Sequence, residues 1–283
     1  MKKIEKKLGF IGAGNMGEAL IGAVIKSGLF EPSAILASDS NRQRLEFLSA
    51  EYDIRVTDDN LGLFLENDII ILAVKPQQIA QVISDITAQK AFDVINRKLV
   101  ISIAAGITIK KIETLLYEPL DESKRAKLPV IRVMPNTPAL VLKGMSGLSP
   151  NRYVSREEMI IAETILEAAG TALEFKEELL DAVTAISGSG PAYVFYLLES
   201  MIQGGLDVGL SQEDSRTLSI ATLKGALALL EELKESPESL RKKVTSPGGT
   251  TEAALSVMEA GAVKQIIIKA IAAAARRSKE LGK

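Results

Sequence analysis

The feature that most constrains this chain is the passage from the apolar run Leu8 to Ile11, through Gly12-Ala13-Gly14-Asn15-Met16-Gly17, into the helix-forming run Glu18 to Lys26. Strand, glycine turn and helix in that order form the layout of a dinucleotide site. Gly12 permits the tight turn, Gly14 lets a diphosphate approach bare backbone, and Gly17 lets helix and strand pack closely. The phosphates then rest on free N–H groups at the helix N-terminus. Ile11, Ala13, Asn15 and Met16 complete this candidate site. A plainer reading is an ordinary βα turn rich in small residues. A secretory signal is a second rival, because Lys2, Lys3, Lys6 and Lys7 precede the apolar stretch, but Asn15, Glu18 and the glycines interrupt it, so no signal is expected.

With 283 residues, 47% of them hydrophobic, the chain has the length for two domains and ample material for their cores. Net charge is −2, and no Lys/Arg cluster is interleaved with aromatics, so neither nucleic acid nor a membrane surface is expected as a partner. The most apolar segments, Ile69 to Val74 and Ile266 to Ala275, are too short to span a bilayer or are interrupted by Lys269. A cytoplasmic location is expected. The absence of Cys removes thiolate nucleophiles, disulfides and zinc-thiolate sites, the absence of His removes the usual proton relay, and no metal is expected. No side chain has an ordinary pKa near neutrality, so either a perturbed Lys, Tyr or carboxylate acts as acid, or the substrate carries its own proton.

Beyond the glycine turn, strands and helices alternate: strand Ile35 to Ser38, helix Arg42 to Ala50, strand Ile54 to Val56, helix Leu61 to Glu66 and strand Ile69 to Val74. A helix from about Gln77, a strand Leu99 to Ile103, a helix Ile109 to Leu116 and a strand Val130 to Met134 follow, with Glu118 to Lys127 read as a solvated loop. That rhythm predicts an α/β fold, a doubly wound (Rossmann), mostly parallel sheet covered by helices. Ser155 with Glu158 opens a further helix, and Thr171 to Phe175 reads as a last edge strand. From Glu177 onward only helices are signalled, with starts at Gly190-Pro191, Ser211 with Asp214, Ser236-Pro237 and Thr250-Thr251-Glu252. The expected domains are therefore 1–176, dinucleotide-binding, and 177–283, all-helical. The last helix, Val263 to Leu281, is apolar nearly all round at Ile266, Ile267, Ile268, Ala270 and Ile271. It is read as buried in a partner subunit, the alternative being a central helix of a monomer.

An acid at the end of the second strand ordinarily binds the ribose 2′-hydroxyl of NAD. Asp39 is in range, yet Ser38, Ser40, Asn41 and Arg42 offer hydroxyls, an amide and a guanidinium suited to a 2′-phosphate. NADPH is thus expected, with NADH tolerated; Asp39 or Ser40 also qualifies as a helix cap. Ala73-Val74-Lys75-Pro76 ends the fourth strand where the crevice of such a sheet opens, and its Lys-Pro reads equally as a turn or as a cofactor contact. The small Ala104-Ala105-Gly106 turn suits close approach of a flat ring. Pro135-Asn136-Thr137-Pro138 is either a rigid loop fixing Asn136 toward the cleft or a plain connector.

In the helical half, Val244-Thr245-Ser246-Pro247-Gly248-Gly249-Thr250-Thr251 runs into a helix beginning near Glu252 and has the makeup of an anion socket for a small carboxylate. Capping explains one hydroxyl but hardly needs Gly248, Gly249, Thr250 and Thr251 together. Glu252 brings a negative charge close to that socket, so its side chain is expected to point away or to pair with a cation. Ser187-Gly188-Ser189-Gly190-Pro191-Ala192, before a helix carrying Tyr193, Phe195 and Tyr196, reads as another close approach or as simple helix packing.

In order along nearly the whole chain, GFIGAGNMG, AVKP, SIAAG, MPNTP, SGSGPAYVF and SPGGTTEAAL resemble pyrroline-5-carboxylate reductases. The opening glycines also resemble β-hydroxyacid dehydrogenases, but the catalytic lysine those carry in the helical domain has no counterpart between Ser187 and Phe195. The resemblance implies reduction of the cyclic imine (S)-1-pyrroline-5-carboxylate to L-proline by NAD(P)H. It further implies that Ser246, Gly249, Thr250 and Thr251 bind the substrate carboxylate, that the Thr251 hydroxyl lies beside the imine nitrogen, and that Asn60 sits near the adenosine. It also implies homodimers interwoven through the helical domain, assembled in some cases into decamers or other larger rings. A cyclic imine can arrive protonated, so hydride attack on its C=N carbon needs orientation more than a titrating histidine. The sequence reading thus expects two positively polarised pockets, one for a diphosphate and one for a small acid, facing each other.

Overall fold

The computed structural model describes residues 3–282. One sheet of eight strands has the order β3-β2-β1-β4-β5-β6-β7-β8, comprising β1 (Leu8–Ile11), β2 (Ile35–Ser38), β3 (Arg55–Thr57), β4 (Ile69–Leu72), β5 (Leu99–Ser102), β6 (Val130–Met134), β7 (Gly144–Pro150) and β8 (Gly170–Glu174). The first six are parallel, β7 runs antiparallel to β6, and β8 runs parallel to β7. Every residue of β1, β2, β4 and β5 is buried, as expected of strands covered on both faces. On one face α1 (Asn15–Lys26), α2 (Arg42–Tyr52) and α7 (Arg156–Glu167) pack Ile21, Leu48 and Ile165 over Phe10, Ile69 and Ile71. On the other, α3 (Asn60–Glu66), α4 (Ile79–Thr87) and α5 (Ile109–Tyr117) pack Phe64, Ile83 and Ile112 over Ile11, Ile70 and Val100.

Two features depart from the sequence reading. The stretch expected to be a solvated loop contains a helical turn, α6 (Glu122–Arg125), because the Asp121 side chain accepts from the Lys124 N–H and caps it. Strand β7 was not signalled at all. Its sequence, Gly-Met-Ser-Gly-Leu-Ser-Pro, has no β-branched or aromatic residue, so it becomes a strand through pairing with Arg132, Val133 and Met134 on one side and with β8 on the other.

By contacts the chain divides into two compact units, Met1–Ser189 with Ala274–Lys283, and Gly190–Ala273. The first runs past Lys176 because α8 (Leu180–Val183) still packs on β7, where Leu180 and Val183 fill the space left open by Gly147. Within this unit the buried guanidinium of Arg132 meets Glu177 at 3.2 Å and Asp181 at 3.6 Å, and the Ser278 hydroxyl donates to Asp181 at 2.7 Å. These bonds fasten the end of α13 (Val263–Leu281) to the sheet unit. The second unit consists of α9 (Gly190–Asp207), α10 (Gln212–Leu233), α11 (Pro237–Lys243), α12 (Thr250–Ala260) and the first part of α13. It leaves Phe195, Leu227, Val257, Ile266, Ile267 and Ile268 each more than half exposed. An apolar surface of that extent is the mark of an interface.

At one corner of the sheet, Arg55 and Lys7 both donate to the Glu66 carboxylate, from 3.0 and 3.1 Å. The Arg55 hydrogen bonds, followed by that of Lys7, hold the carboxyl down at about 2. A depressed carboxyl stabilises the fold above its unfolded pKa and loses that contribution as the pH falls through its folded value. The Tm deficit of Glu66→Gln against the parent chain is therefore expected to be greatest above about pH 5 and to shrink as the pH falls toward 2, which thermal melts across that range will show.

Candidate functional site

The glycine turn lies at the carboxyl edge of the sheet, where the strand order reverses between β1 and β4. Gly12 takes φ +100° and donates to the Ser38 carbonyl at 2.8 Å. A Cβ on it would lie 2.7 Å from the Ala73 carbonyl carbon and the Val74 nitrogen, so the turn is pressed against the end of β4. A Cβ on Gly17 would lie 2.8 Å from the Gly12 oxygen. Gly14 is the opposite case: a Cβ there would meet nothing within 4 Å, and no side chain caps α1, whose N-terminus Gly14 begins. Exposed backbone at an uncapped helix N-terminus is suited to an anion. Ile11, Ala13, Asn15 and Met16 lie on this turn or flank it.

The end of β2 adjoins it. The buried Ser38 hydroxyl donates to Asn60 Oδ1 at 2.7 Å, which places the first residue of α3 beside the glycine turn. Asn41 caps α2 by accepting from the Arg44 N–H, and Arg42 extends into solvent with its Nε on Glu46 at 3.2 Å. Asp39 presents no unoccupied oxygen: Oδ2 accepts from the Ala13 N–H and Oδ1 from the Asn41 N–H, both at 2.8 Å. Sequence reasoning passed over Arg44. Its Nε donates to the Ala13 carbonyl at 2.6 Å, its Nη2 pairs with Glu18, and its guanidinium lies 5.1 Å from the Phe47 ring centre. Tyr52 donates to the other Glu18 oxygen, and burial followed by that carboxylate raises the phenol above its ordinary pKa. The available signal was position, since Arg44 falls in the first turn of a helix that follows the second strand.

Further along the same edge, Ala73 and Val74 follow β4, Lys75 is exposed, and Pro76 opens a single 3₁₀ turn. After β5, Ala104 is buried and Gly106 takes φ +78° beneath Leu281 and Gly282, so the Ala104-Ala105-Gly106 turn carries the end of α13 upon it. Both ends of the Asn136 amide are engaged within the protein: Nδ2 donates to the Ser187 carbonyl at 2.9 Å and Oδ1 accepts from the Met145 N–H at 2.8 Å. That pins its loop to β7 and to a π-helical turn over Thr184–Gly188, an irregularity that the sequence did not announce.

In the helical unit, Ser246-Pro247-Gly248-Gly249 closes a turn with the Gly249 N–H on the Ser246 carbonyl at 3.0 Å. Pro at its second position and Gly248 at φ +70° give it the type II pattern. Helix α12 starts at Thr250, two residues earlier than expected, with Gly249 as an N-cap that supplies no side-chain bond. Ser246, Gly249, Thr250 and Thr251 are thereby brought together around one helix start. Glu252 neither points away nor meets a cation, as had been expected. Its carboxylate folds back and accepts the Gly248 N–H at 2.7 Å, because a first-turn acid reaches the orphan donors just before its own helix.

Residues 177–281 match the family model described as pyrroline-5-carboxylate reductase dimerisation, and residues 7–106 match that described as NADP oxidoreductase coenzyme F420-dependent. The chain is 41% identical to pyrroline-5-carboxylate reductase 2 of Bacillus subtilis, over 98% of this chain and 95% of that one. With the pyrroline-5-carboxylate reductase of Methanosarcina acetivorans the identity is 40%, over 98% of both. Among solved structures, a pyrroline-5-carboxylate reductase from Coxiella burnetii superposes with a TM-score of 0.87 at 35% identity, covering 99% of this chain and 100% of that one. The Plasmodium falciparum enzyme, solved with NADP bound, gives 0.86 at 30% identity, with both chains fully covered.

The last two glycines of the turn separate packing from access. Gly14→Ala is expected to leave Tm within about 2 °C, since the methyl group meets nothing, whereas Gly17→Ala drives a methyl group onto the Gly12 carbonyl and should lower Tm by at least several degrees in a thermal melt.

Proposed function

The chain belongs to the pyrroline-5-carboxylate reductase family, and on that premise we propose that it reduces (S)-1-pyrroline-5-carboxylate to L-proline with NADPH, NADH serving as the weaker donor. The observation that carries this reading is the likeness at about 40% identity over nearly the whole length, which includes both glycine-rich loops. The residues present fit the cofactor: the uncapped start of α1 and the open space at Gly14 suit a diphosphate. Ile11 and Gly12 to Gly17 would hold the diphosphate. Asn41 and Arg42 would hold the 2′-phosphate and Asn60 the adenosine; Ser38, expected at the 2′-phosphate, is buried and would act only through its hydrogen bond to Asn60. Ala73 to Pro76, Ala104 to Gly106 and the loop of Asn136 would border the nicotinamide ribose. When bound, the reduced nicotinamide supplies the hydride for the C=N bond.

The protein's own part is to bind and orient. With Glu252 on the Gly248 N–H and the Ser246 carbonyl on the Gly249 N–H, the substrate carboxylate is offered the N–H groups of Thr250 and Thr251 together with the hydroxyls of Ser246, Thr250 and Thr251. The Thr251 hydroxyl hydrogen-bonds at the imine nitrogen and fixes the face of the ring. A protonated imine needs no titrating side chain to become electrophilic, which agrees with a chain that has neither His nor Cys.

Function divides between a dinucleotide-binding domain, 1–176, and a helical substrate-binding and dimerisation domain, 177–283. The working form is a homodimer joined through the helical domain, which can build into a decamer or another larger ring. The exposed isoleucines of α13 and the match to a dimerisation model support that assembly. A cytoplasmic location suits a small-molecule reductase of this kind, and no helix among the described residues is long and apolar enough to cross a membrane.

Mixing the purified protein with NADPH and the imine tests the reading directly: cofactor oxidation is expected, and none from a folded sample refutes it. Thr251→Ala should lower kcat/KM about tenfold to a hundredfold, the scale of one or two kcal/mol of oriented hydrogen bonding. Arg42→Ala should raise the KM for NADPH far more than that for NADH, and equal increases would remove Arg42 from the 2′-phosphate site.

A further inference from the structure

Behind the glycine turn lies a layer of charged side chains that hold Ala13 from two sides. The Asp39 carboxylate takes its N–H at 2.8 Å, and the Arg44 guanidinium donates to its carbonyl at 2.6 Å. These two bonds act on different peptide units. Ala13 N–H belongs to the unit shared with Gly12, while the Ala13 carbonyl belongs to the unit shared with Gly14. In a planar trans peptide the C=O and N–H point in opposite directions. Drawing the Ala13 carbonyl toward Arg44 therefore aims the Gly14 N–H the other way, and Gly14 itself is exposed, with nothing within 4 Å of where a Cβ would stand.

Arg44 is well fixed for such a task. Its pairing with Glu18, the Glu18 bond to Tyr52 and the Phe47 ring at 5.1 Å engage it on several sides, and only 24% of its side chain is exposed. Charge-assisted bonds of this kind are about twice as strong as neutral ones. Asp39, with both oxygens engaged, sets the preceding peptide in the same way and ties it to the start of α2. Resting on the reading that this turn holds a cofactor diphosphate, we propose that Arg44 is a positioning residue that turns the Gly14 N–H onto the diphosphate of NADPH and NADH alike, through the Ala13 carbonyl.

The test is direct titration of the purified chain with NADPH and with NADH, following nicotinamide fluorescence, alongside thermal melts and steady-state kinetics. Arg44→Met keeps the aliphatic stem and removes the donors. It should raise Kd for both coenzymes by the same factor, about tenfold, with the loss falling on coenzyme affinity rather than on kcat at saturation or on the KM for the imine. Arg44→Lys, which keeps the charge but not the fork, should raise both Kd values about threefold and serves in its place if the Met variant does not fold. Arg44→Met combined with Glu18→Gln should keep most of the loss. Unchanged Kd values with a lowered Tm would overturn the proposal, as would a loss confined to NADPH, which would mean direct contact with the 2′-phosphate. Full recovery in the double variant would also overturn it, by assigning the effect to the uncovered Glu18 charge. Failure of the parent chain to bind either coenzyme would instead defeat the cofactor reading on which the proposal rests.

Discussion

Everything at the carboxyl edge of the sheet depends on how closely Gly12 approaches the end of β4. The gap to the Ala73 carbonyl carbon is too small for a side chain, and the backbone must pass through φ +100°. Either condition alone favours glycine; together they leave no other residue. Once Gly12 is in place, Gly17 can pack on its carbonyl, α1 can start at once, and the N-terminal N–H groups of that helix face outward. Parallel pairing aligns the ends of β1, β2, β4 and β5, so the residues that follow each strand gather at one edge. The candidate cofactor residues come from six separate sequence segments for this reason.

The sheet unit and the helical unit solve the burial problem differently. In the first, nearly every apolar strand residue is inside, and the buried charged groups have partners, Arg132 in Glu177 and Asp181 and Lys98 in the Leu65 and Asn67 carbonyls. In the second, Phe195, Leu227 and the run Ile266 to Ile268 remain outside. At about 25 cal/mol per Å² of apolar area, several large side chains of this kind would be stabilised by burial against another surface. The match of residues 177–281 to a dimerisation model fits that imbalance.

Most of the fold was legible because its elements carry local signals that agree with tertiary packing. The strands of the parallel sheet are short, mostly apolar runs, and the helix starts at Ser155, Ser211 and Ser236 are capped as their sequences foretold. What escaped lacked such signals. Strand β7 owes its conformation to its neighbours, α6 to a single Asp cap, and the π-helical turn at Thr184–Gly188 to packing that no periodicity announces. In the candidate site, the glycine roles could be read because sterics alone dictates them. The partners of Asp39, Arg44, Asn136 and Glu252 could not, since each is set by a neighbour distant in sequence or by the direction of a side chain.

Glu252 illustrates why side-chain direction matters to the chemistry. An acid in the first turn of a helix favours the positive end of the dipole, and in this chain it satisfies a backbone donor that would otherwise lie orphaned beside a φ +70° glycine. One of its carboxylate oxygens is thus committed to the turn. The donors that remain at the start of α12 are neutral N–H and O–H groups, which do not titrate. Donors of this kind are suited to an anion through their geometry. For a substrate whose nitrogen brings its own proton, holding still is the greater part of catalysis.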